Sequence, residues 1–422
     1  MLRAFSFLLL FITAQVSHAQ AVKNFSPVSK PEDAGFSQDR LSRIDALLEQ
    51  HVKDQSIPGA VALIVRNGRI VYHKAFGLND VEEKTPLKKD DIFRIASQSK
   101  AITSLAAMIL WEEGKFLLDD PLSDYIQEFK NPKVLKSFHQ QDSSFSTEPA
   151  HGVITIRHLL THSSGIDYAV IGSAEFKAIY AKAGVPSGIG NHHGVLAEKM
   201  KILGGLPLKH NPGERWTYGL NTDVLGRLVE IWSGMSFDKF LKTRIFDPLG
   251  MDDTFFYLPS NKHNRLVTLH ANKDGKVFKM KSPPYDAWDP DYPRLKGTYF
   301  SGGAGLSSTV EDYAKFLQLF LNGGTFNGTR LLSRKTVELM LTDQLPHLDM
   351  EFGLGFGLET AKNDYDSPAS IGSFSWGGAF STQYWADPKE GIIGLIYTNI
   401  YNNPDGSISD KFKVFTYQAI AD

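Results

Sequence analysis

The sequence contains no cysteine among its 422 residues. That absence excludes disulfide bonds, thiolate metal ligands, a cysteine nucleophile and a lipid-modified N-terminal cysteine. An excess of charge of either sign is also missing, since 45 Lys and Arg residues stand against 47 Asp and Glu residues for a net charge of −2. The charge balance therefore gives no reason to expect nucleic acid or an acidic membrane surface as a partner.

The motifs of several enzyme classes are absent as well. The chain has no Gly-x-Ser-x-Gly segment, and so lacks the nucleophile elbow of an α/β-hydrolase. It has neither a His-Glu-x-x-His pattern nor a Gly-rich phosphate-binding loop, and its acidic residues form no metal-like cluster in the sequence. We therefore expect that the protein requires no metal ion and no organic cofactor.

Long apolar runs are missing except near the N-terminus. Residues 5–14 are apolar but too few to span a bilayer, and they lie between Arg3 and the small residues of the Ser-His-Ala segment 17–19. This order is typical of a signal peptide, and the alternative is a buried N-terminal helix. We expect residues 1–19 to be a signal peptide, residues 20–422 to be one exported domain, periplasmic or extracellular, and no transmembrane anchor.

Strand patterns occur at both ends of the mature chain. Apolar residues make up 42 % of the sequence and charged residues 22 %, which is ordinary for a soluble globular protein. Two runs rich in Val, Ile and Leu flank Asn67-Gly68, the strongest short signal for a β-hairpin. Residues 380–386 and 392–398 have the pattern of two further strands around a turn. These patterns predict one sheet built from both termini.

Between these strands, apolar residues recur at helical spacing. The spacing and caps predict helices over residues 37–52, 101–114, 221–232, 308–321 and 409–421. Residues 260–300 carry many aromatics without periodicity, so they are expected to form long loops at a pocket. The predicted fold class is α/β (α+β), a mostly antiparallel sheet flanked by helices, with a helical region inserted at roughly residues 100–300.

The reactive chemistry is concentrated in Ser97-Gln98-Ser99-Lys100, where the chain enters the helix. Residues three apart on a helix share a face, so the Lys100 amine can reach the Ser97 hydroxyl. A helix N-terminus favours a developing alkoxide, and a partly desolvated lysine beside it gives up its proton more easily. A neutral lysine can then accept the serine proton, as nucleophilic catalysis requires. Alone, however, Ser-x-x-Lys is a weak pattern, and Ser97 could simply cap the helix.

Longer segments make the pattern specific. Residues 93–100, Phe-Arg-Ile-Ala-Ser-Gln-Ser-Lys, resemble the nucleophile segment of the superfamily of serine β-lactamases, penicillin-binding proteins and related esterases. The resemblance covers nearly the whole mature chain. Further matching segments are residues 58–62, 118–122, 156–165, 247–251 and 303–308. Of these, residues 156–165 are similar to a recognisable segment of the class C branch.

The resemblance implies a tyrosine in the site, usually followed two residues later by an asparagine. Tyr218 matches the tyrosine, and its phenol would relay the proton between Lys100 and the leaving group. The alternative for Tyr218 is a core aromatic. Leu220 occupies the asparagine position and Asn221 follows it, a departure that resembles the esterase-like members. Asn221 is accordingly a candidate for substrate binding.

The third motif of the family is a Lys-Thr-Gly triplet, or a close relative, on a strand beside the site. Trp376-Gly377-Gly378 matches it here, so these residues are predicted to contact substrate, and Ala379 follows. By the resemblance, the N–H groups of Ser97 and Ala379 form an oxyanion hole. Trp376 replaces the cation that attracts the carboxylate of a β-lactam, which favours a neutral acyl group, although Trp376 could also simply pack in the sheet.

The sequence therefore predicts an exported serine hydrolase that forms an acyl-enzyme on Ser97, with Lys100 and Tyr218 handling protons. Its expected partner is a small-molecule ester, amide or lactam, and the missing cation favours a carboxylic ester. Two alternatives stay open at this point. One is a class C-type β-lactamase or D-amino-acid peptidase, and the other is a penicillin-binding or sensor protein that does not turn over. Nothing in the sequence indicates an oligomeric state.

Overall fold

A computed structural model of the protein describes residues 22, 24–281, 289–403 and 405–422. The predicted signal peptide, residues 1–19, lies outside the described residues. Within the described part of the chain, no helix has both the length and the apolar character that crossing a membrane requires.

The strands come mostly from the two ends of the chain. In chain order they are β1 Ser26–Pro27, β2 Gly59–Arg66, β3 Arg69–Asp80, β4 Thr85–Pro86, β5 Phe93–Arg94, β6 Lys133–His139, β7 Ser144–Pro149, β8 His270–Lys273, β9 Lys276–Lys279, β10 Ser307–Ser308, β11 Thr325–Phe326, β12 Thr329–Arg330, β13 Gly357–Leu358, β14 Phe374–Gly378, β15 Thr382–Asp387, β16 Ile392–Tyr397 and β17 Ile400–Tyr401. The main sheet has the order β1-β3-β2-β16-β15-β14-β13, and β4 pairs with β3.

The helices fill the middle of the chain and cover the sheet. They are α1 Gln38–Lys53, α2 Ser99–Glu112, α3 Ile156–Leu160, α4 Ala174–Ala183, α5 Leu196–Gly204, α6 Asn221–Ser233, α7 Phe237–Leu241, α8 Asp247–Leu249, α9 Val310–Leu321, α10 Arg334–Met340 and α11 Ser407–Gln418. Short 3-10 helices lie at Pro31–Ala34, Ala96–Gln98, Leu122–Asp124, Gln127–Phe129, Ser260–Arg265 and Tyr292–Arg294, and a π-helical turn lies at Lys242–Phe246.

Strand β2 shows that the main sheet is buried on both faces. Val61 and Leu63 point into the larger core, which α2, α6 and α9 share. The alternate residues Ala62 and Ile64 point into a second core with α1 and α11. Because apolar layers cover both faces, β2 is apolar from Ala60 to Val65 instead of alternating with polar residues. In the main sheet every pairing is antiparallel except that of β1 with β3.

These observations confirm the predicted fold class, with a sheet from both termini and an inserted helical region. The predicted helices lie within two residues of the observed α1, α2, α6, α9 and α11 at most ends. Side-chain caps mark two of these helix starts, since Ser37 accepts a hydrogen bond from the Arg40 N–H and Thr309 accepts one from the Asp312 N–H.

One expectation was wrong in part. Residues 260–300 were predicted as long loops, yet their described portion contains two 3-10 helices and the β8–β9 hairpin. The two-residue turn of this hairpin is Asp274-Gly275, with φ of +53° and +79°, as the favoured hairpin turns require. The two strands of this hairpin are only four residues long, and lysines interrupt their apolar residues. The sequence therefore indicates the turn of the hairpin but hardly its strands. The β6–β7 hairpin was likewise not predicted.

Candidate active site

A sharp turn around the predicted nucleophile Ser97 leads from the short strand β5, which pairs with β10, into α2. β5 ends at Arg94, the 3-10 helix Ala96–Gln98 contains Ser97, and α2 begins at Ser99. Ala96 has φ of +43°, in the left-handed region that residues with a Cβ rarely adopt. This conformation reverses the chain direction immediately before Ser97, which is 8 % exposed. The predicted nucleophile therefore lies at the junction of the sheet and the helical region.

Hydrogen bonds from three other elements hold this nucleophile turn in place. The Tyr397 hydroxyl on β16 donates to the Gln98 side-chain oxygen at 2.5 Å, and the Tyr313 hydroxyl on α9 donates to the Gln98 carbonyl at 2.9 Å. The Leu306 N–H donates to the Ser99 hydroxyl at 3.0 Å. Because these hydrogen bonds are buried, they stabilise the left-handed backbone conformation of Ala96, which the local sequence alone would disfavour.

Lys100 meets Ser97 as the three-residue spacing predicts. Its Nζ lies 3.2 Å from Ser97 Oγ and 2.7 Å from the Gly303 carbonyl oxygen, and the residue is 3 % exposed. The amine therefore has two fixed acceptors and almost no contact with bulk water. This geometry suits a proton transfer between Ser97 and Lys100, because the two heavy atoms are already at hydrogen-bond distance.

Tyr218 completes the predicted trio. It lies in the segment before α6, and its ring centroid is 4.4 Å from Lys100 Nζ. Tyr168, which sequence reasoning did not single out, stacks on Tyr218 with 5.7 Å between ring centroids and lies 5.3 Å from the same Nζ. The structure thus brings Ser97, Lys100 and Tyr218 into one site, although 118 residues separate Lys100 from Tyr218.

A buried network supports the Tyr218 segment from behind. The Asn221 amide accepts a hydrogen bond from the Ser164 hydroxyl at 2.5 Å and donates to His162 Nδ1 at 3.0 Å. Burial and the nearby Lys100 hold the pKa of His162 well below its ordinary value, so the ring is neutral and can accept this bond. Asn221 is itself completely buried. The predicted contact of Asn221 with substrate stays a prediction. The hydrogen bonds observed here stabilise the chain segment that carries Tyr218.

Strand β14 forms the opposite wall of the site and carries Trp376, Gly377 and Gly378. A Cβ on Gly378 would collide with the Ile95 carbonyl oxygen, so the strand end packs directly on the nucleophile turn only because this residue is glycine. Ala379 follows β14 and is exposed. The pairing of the Ser97 and Ala379 N–H groups as an oxyanion hole, and the predicted substrate contacts of the triplet, stay predictions.

Aromatic rings line the wall around Trp376. The Trp376 indole N–H donates a long hydrogen bond of 3.5 Å to the Tyr218 hydroxyl. Phe352 lies edge-on to Trp376 with 5.4 Å between centroids, and Trp216 lies 6.4 Å from it. Trp216 was recognisable two residues before Tyr218, whereas Phe352 comes from a loop with no sequence signal. The predicted replacement of a cation by Trp376 therefore creates a flat, largely apolar surface.

Sequence reasoning also missed Asp223, on the first turn of α6. The residue is completely buried, and its Oδ1 accepts a hydrogen bond from the Tyr299 hydroxyl at 3.0 Å. Burial raises the pKa of Asp223 to about 6, against the lowering effects of Ser301, Lys100 and Tyr299. The sequence does contain one indication that this carboxylate is buried, because Asp223 is followed directly by the apolar residues Val224 and Leu225.

The fold and this site together are those of a serine hydrolase in which the predicted nucleophile Ser97 and Lys100 lie within one helical turn of each other. The chain belongs to the beta-lactamase family, because a sequence model described as Beta-lactamase matches residues 44–417. The predicted family resemblance is thereby confirmed, and so is the prediction that the protein is an enzyme of the serine hydrolase class.

The chain is similar to two esterases and to a further hydrolase of known structure. Esterase EstB of Burkholderia gladioli is 29 % identical over 411 residues, 92 % of this chain and 98 % of EstB. Lovastatin esterase of Penicillium rubens is 30 % identical over 385 residues, 83 % of this chain and 91 % of the esterase. The solved structure of EstCE1, a hydrolase with promiscuous acyltransferase activity, has a TM-score of 0.76 at 26 % identity, covering 90 % of this chain and 99 % of EstCE1.

Proposed function

We propose that this protein is an exported carboxylic-ester hydrolase that acts through an acyl-enzyme on Ser97. The observation that carries the proposal is the 3.2 Å contact between Ser97 Oγ and Lys100 Nζ, with the Tyr218 ring 4.4 Å from the same Nζ. A serine of this kind needs an adjacent base to become a nucleophile, and Lys100 stands where that base is needed. The likeness to EstB and to lovastatin esterase supports the choice of an ester.

The proposed reaction has two half-reactions. Neutral Lys100, assisted by Tyr218, takes the Ser97 proton as Oγ attacks the ester carbonyl carbon, and the oxyanion is held by the N–H groups of Ser97 and Ala379. The carbon–oxygen bond to the alcohol breaks, and the alcohol leaves with a proton delivered through Tyr218. Water then attacks the acyl carbon of the acyl-Ser97 ester while Lys100 and Tyr218 accept its proton. That proton passes to Ser97 Oγ as the bond between Oγ and the acyl carbon breaks, which releases the acid and restores the Ser97 hydroxyl.

The wall around Trp376 supports an ester in preference to a β-lactam. A penicillin or a peptide C-terminus presents a carboxylate, which a cation at this position would attract. Trp376 presents an indole with no charge, and its N–H is directed to the Tyr218 hydroxyl at 3.5 Å. Phe352 and Trp216 extend the apolar surface. A neutral acyl or alcohol group with apolar parts therefore suits the wall better than an anion does.

Comparing two substrates tests this assignment. We expect turnover of a short-chain aryl ester by the purified protein, at a kcat/KM far above that for a chromogenic cephalosporin. Ser97→Ala should lose nearly all ester turnover, and Lys100→Ala nearly as much, because groups that act as one unit have strongly non-additive effects. The double variant should then be little worse than either single variant. Full esterase activity in Ser97→Ala would overturn the assignment.

The other outcomes identify the two alternatives. Efficient hydrolysis of the cephalosporin or of a D-amino-acid peptide, with weak ester turnover, would indicate a class C-type lactamase or peptidase. Stable labelling of Ser97 by a β-lactam or a fluorophosphonate, without turnover of any ester, would indicate a binding or sensor protein. Addition of an alcohol to the ester assay would measure acyl transfer, for which the likeness to EstCE1 is the reason to look.

Export is the remaining part of the proposal. The Arg3 start, the apolar residues 5–14 and the small residues of segment 17–19 support removal of residues 1–19 during secretion. N-terminal sequencing of protein made in a bacterial host should find Gln20 first, in a periplasmic or culture-medium fraction. A cytoplasmic protein that still begins at Met1 or Leu2 would contradict export without touching the esterase assignment.

A further inference from the structure

A buried carboxylate lies beside the amine of the site. Gly303 separates the two groups: a Cβ on this glycine would lie 2.8 Å from Asp223 Oδ2 and 3.5 Å from Lys100 Nζ. Asp223 Oδ1 accepts a hydrogen bond from the Tyr299 hydroxyl, whereas Oδ2 makes none of standard geometry with any residue that the structure describes. The Ser301 hydroxyl and the Gly303 N–H still lie close enough to act on the carboxylate, and together with Lys100 they lower its pKa against the effect of burial.

The other titratable groups around this pair carry no compensating charge. Burial holds the pKa of His162 well below its ordinary value, and burial raises those of Tyr168 and Tyr299 well above theirs, so all three are neutral near pH 7. Tyr218 contributes the face of its ring to Lys100. Among the described residues in contact with the site, Asp223 is therefore the group that can supply negative charge to Lys100.

We propose that Asp223 is a positioning residue that stabilises the ammonium form of Lys100 created when Ser97 gives up its proton. The inference rests on the proposed function, since it concerns the same proton transfer. In that step the Ser97 O–H bond breaks, an N–H bond forms on Lys100, and a positive charge appears in a buried site. A nearby carboxylate in low dielectric lowers the free energy of that charge, as the aspartate of a Ser-His-Asp triad does for its imidazolium.

The charge on Lys100 changes again when the alcohol leaves. When Lys100 returns its proton through Tyr218 to the leaving alcohol, the positive charge disappears and Asp223 is again an unpaired buried carboxylate. Burial disfavours that state, which is why the pKa of Asp223 is raised to about 6. Below that pH the carboxylate takes up a proton and can no longer balance Lys100. Ester turnover should therefore have an acid limb near pH 6 that is set by protonation of Asp223.

Two variants with opposite expected shifts test the inference. Asp223→Asn removes the counter-charge together with the buried carboxyl group whose pKa is raised to about 6. We expect kcat/KM for the aryl ester to fall at least tenfold at its plateau, with the acid limb moved to lower pH by about one unit. Tyr299→Phe keeps the carboxylate but removes the hydrogen bond that lowers its pKa, so Asp223 should take up a proton more readily and the acid limb should move to higher pH.

A buried carboxylate away from the site provides the matched control. Asp312 is 3 % exposed and pairs with Lys315, so Asp312→Asn changes a comparable group without touching Lys100. It should leave the position of the acid limb unchanged. The rate of Ser97 labelling by a fluorophosphonate, measured over the same pH range, should shift with Asp223→Asn and Tyr299→Phe as the ester turnover does.

The possible outcomes distinguish the inference about Asp223 from the proposed esterase function. If Asp223→Asn and Tyr299→Phe both lose activity without moving the acid limb, Asp223 has only a structural role and the inference is overturned. If Asp223→Asn does not fold, an unmoved acid limb in Tyr299→Phe is sufficient to overturn it. If instead Ser97→Ala retains its ester turnover, the proposed function fails first. Opposite shifts of the acid limb in the two variants, together with an inactive Ser97→Ala, would support both.

Discussion

At the scale of single residues, Asp223 couples the stability of the protein to pH. Its pKa, raised to about 6 by burial, means that the folded protein holds this proton more tightly than the unfolded chain, where the pKa is near 3.8. Stability from this group is complete below about pH 4 and is lost as the pH rises through 6. The difference between the two pKa values corresponds to about 3 kcal/mol. We expect Asp223→Asn to gain thermal midpoint relative to wild type at pH 7.5 but not at pH 4.

Asp80 provides a control in which the dependence of stability on pH has the opposite sign. Despite burial, hydrogen bonds from Lys279, Glu83 and Thr268 hold the pKa of Asp80 at about 2. Its stabilising effect is present above pH 4 and is lost as the pH falls toward 2. Asp80→Asn should therefore lower the thermal midpoint at pH 7.5 and matter less at acid pH. A pH-independent effect of Asp223→Asn on the midpoint would contradict the account given for Asp223.

Residues were predictable to the extent that their roles depend on close neighbours in the chain. Ser97 and Lys100 follow from a three-residue spacing at a helix start, and their contact of 3.2 Å agrees with that prediction. Tyr218 was recognisable from its motif. Asp223 was missed because its importance comes from Lys100 and Gly303, which are 123 and 80 residues away in sequence. The spacing of residues on one helix carries no information about such long-range neighbours.

At the scale of elements, the packing of β14 on the nucleophile turn depends on Gly378. A Cβ there would meet the carbonyl oxygen of Ile95, a backbone atom that cannot rotate away. We expect Gly378→Ala to push the strand end from the turn and to lower kcat for the aryl ester by about 10- to 100-fold, because misplacement by an ångström costs this much. Steady-state kinetics together with a thermal midpoint would measure both consequences.

Gly406 is the matched control for this substitution. It precedes α11 with φ of −70°, and a Cβ there would meet nothing within 4 Å. Gly406→Ala should therefore leave both kcat and stability close to wild type. Unchanged kcat in Gly378→Ala would mean that the strand end does not have to lie against the turn for the reaction.

Some helices and strands were predicted more accurately than others, and the differences follow from how each element is buried. α1 and α9 have one apolar face and capping side chains, so their limits were close to correct. The β8–β9 hairpin was missed because only part of it is buried and its exposed side carries lysine. Its β8 strand is stabilised by pairing with β17, some 130 residues later, and that pairing has no local sequence signal.

At the scale of the whole molecule, the main sheet separates two cores with different tasks. The larger core supports the helix that carries Lys100, whereas the core of α1 and α11 lies on the other face. Phe412 on α11 is completely buried there, edge-on to Trp385 with 5.4 Å between ring centroids. We expect Phe412→Ala to lower the free energy of unfolding by about 3–5 kcal/mol, measured by urea denaturation, with kcat of the folded enzyme near wild type.

Val414 on the same helix serves as the control. It is 48 % exposed, so Val414→Ala removes little buried surface and should change the free energy of unfolding by less than about 0.5 kcal/mol. A Phe412→Ala enzyme that stays fully folded but loses kcat would contradict the separation of the two cores by the sheet.

The sequence by itself determined the nucleophile segment, the Tyr218 motif, the Trp376-Gly377-Gly378 strand and a sheet drawn from both termini. Each of these features depends on adjacent residues or on apolar residues that recur at a short, regular spacing. The tertiary structure decided how β14 packs on the Ser97 turn and which carboxylate lies beside Lys100. It also decided which aromatic rings line the wall at Trp376. Those features arise only when distant segments share one core, since burial and charge act through space and not along the chain.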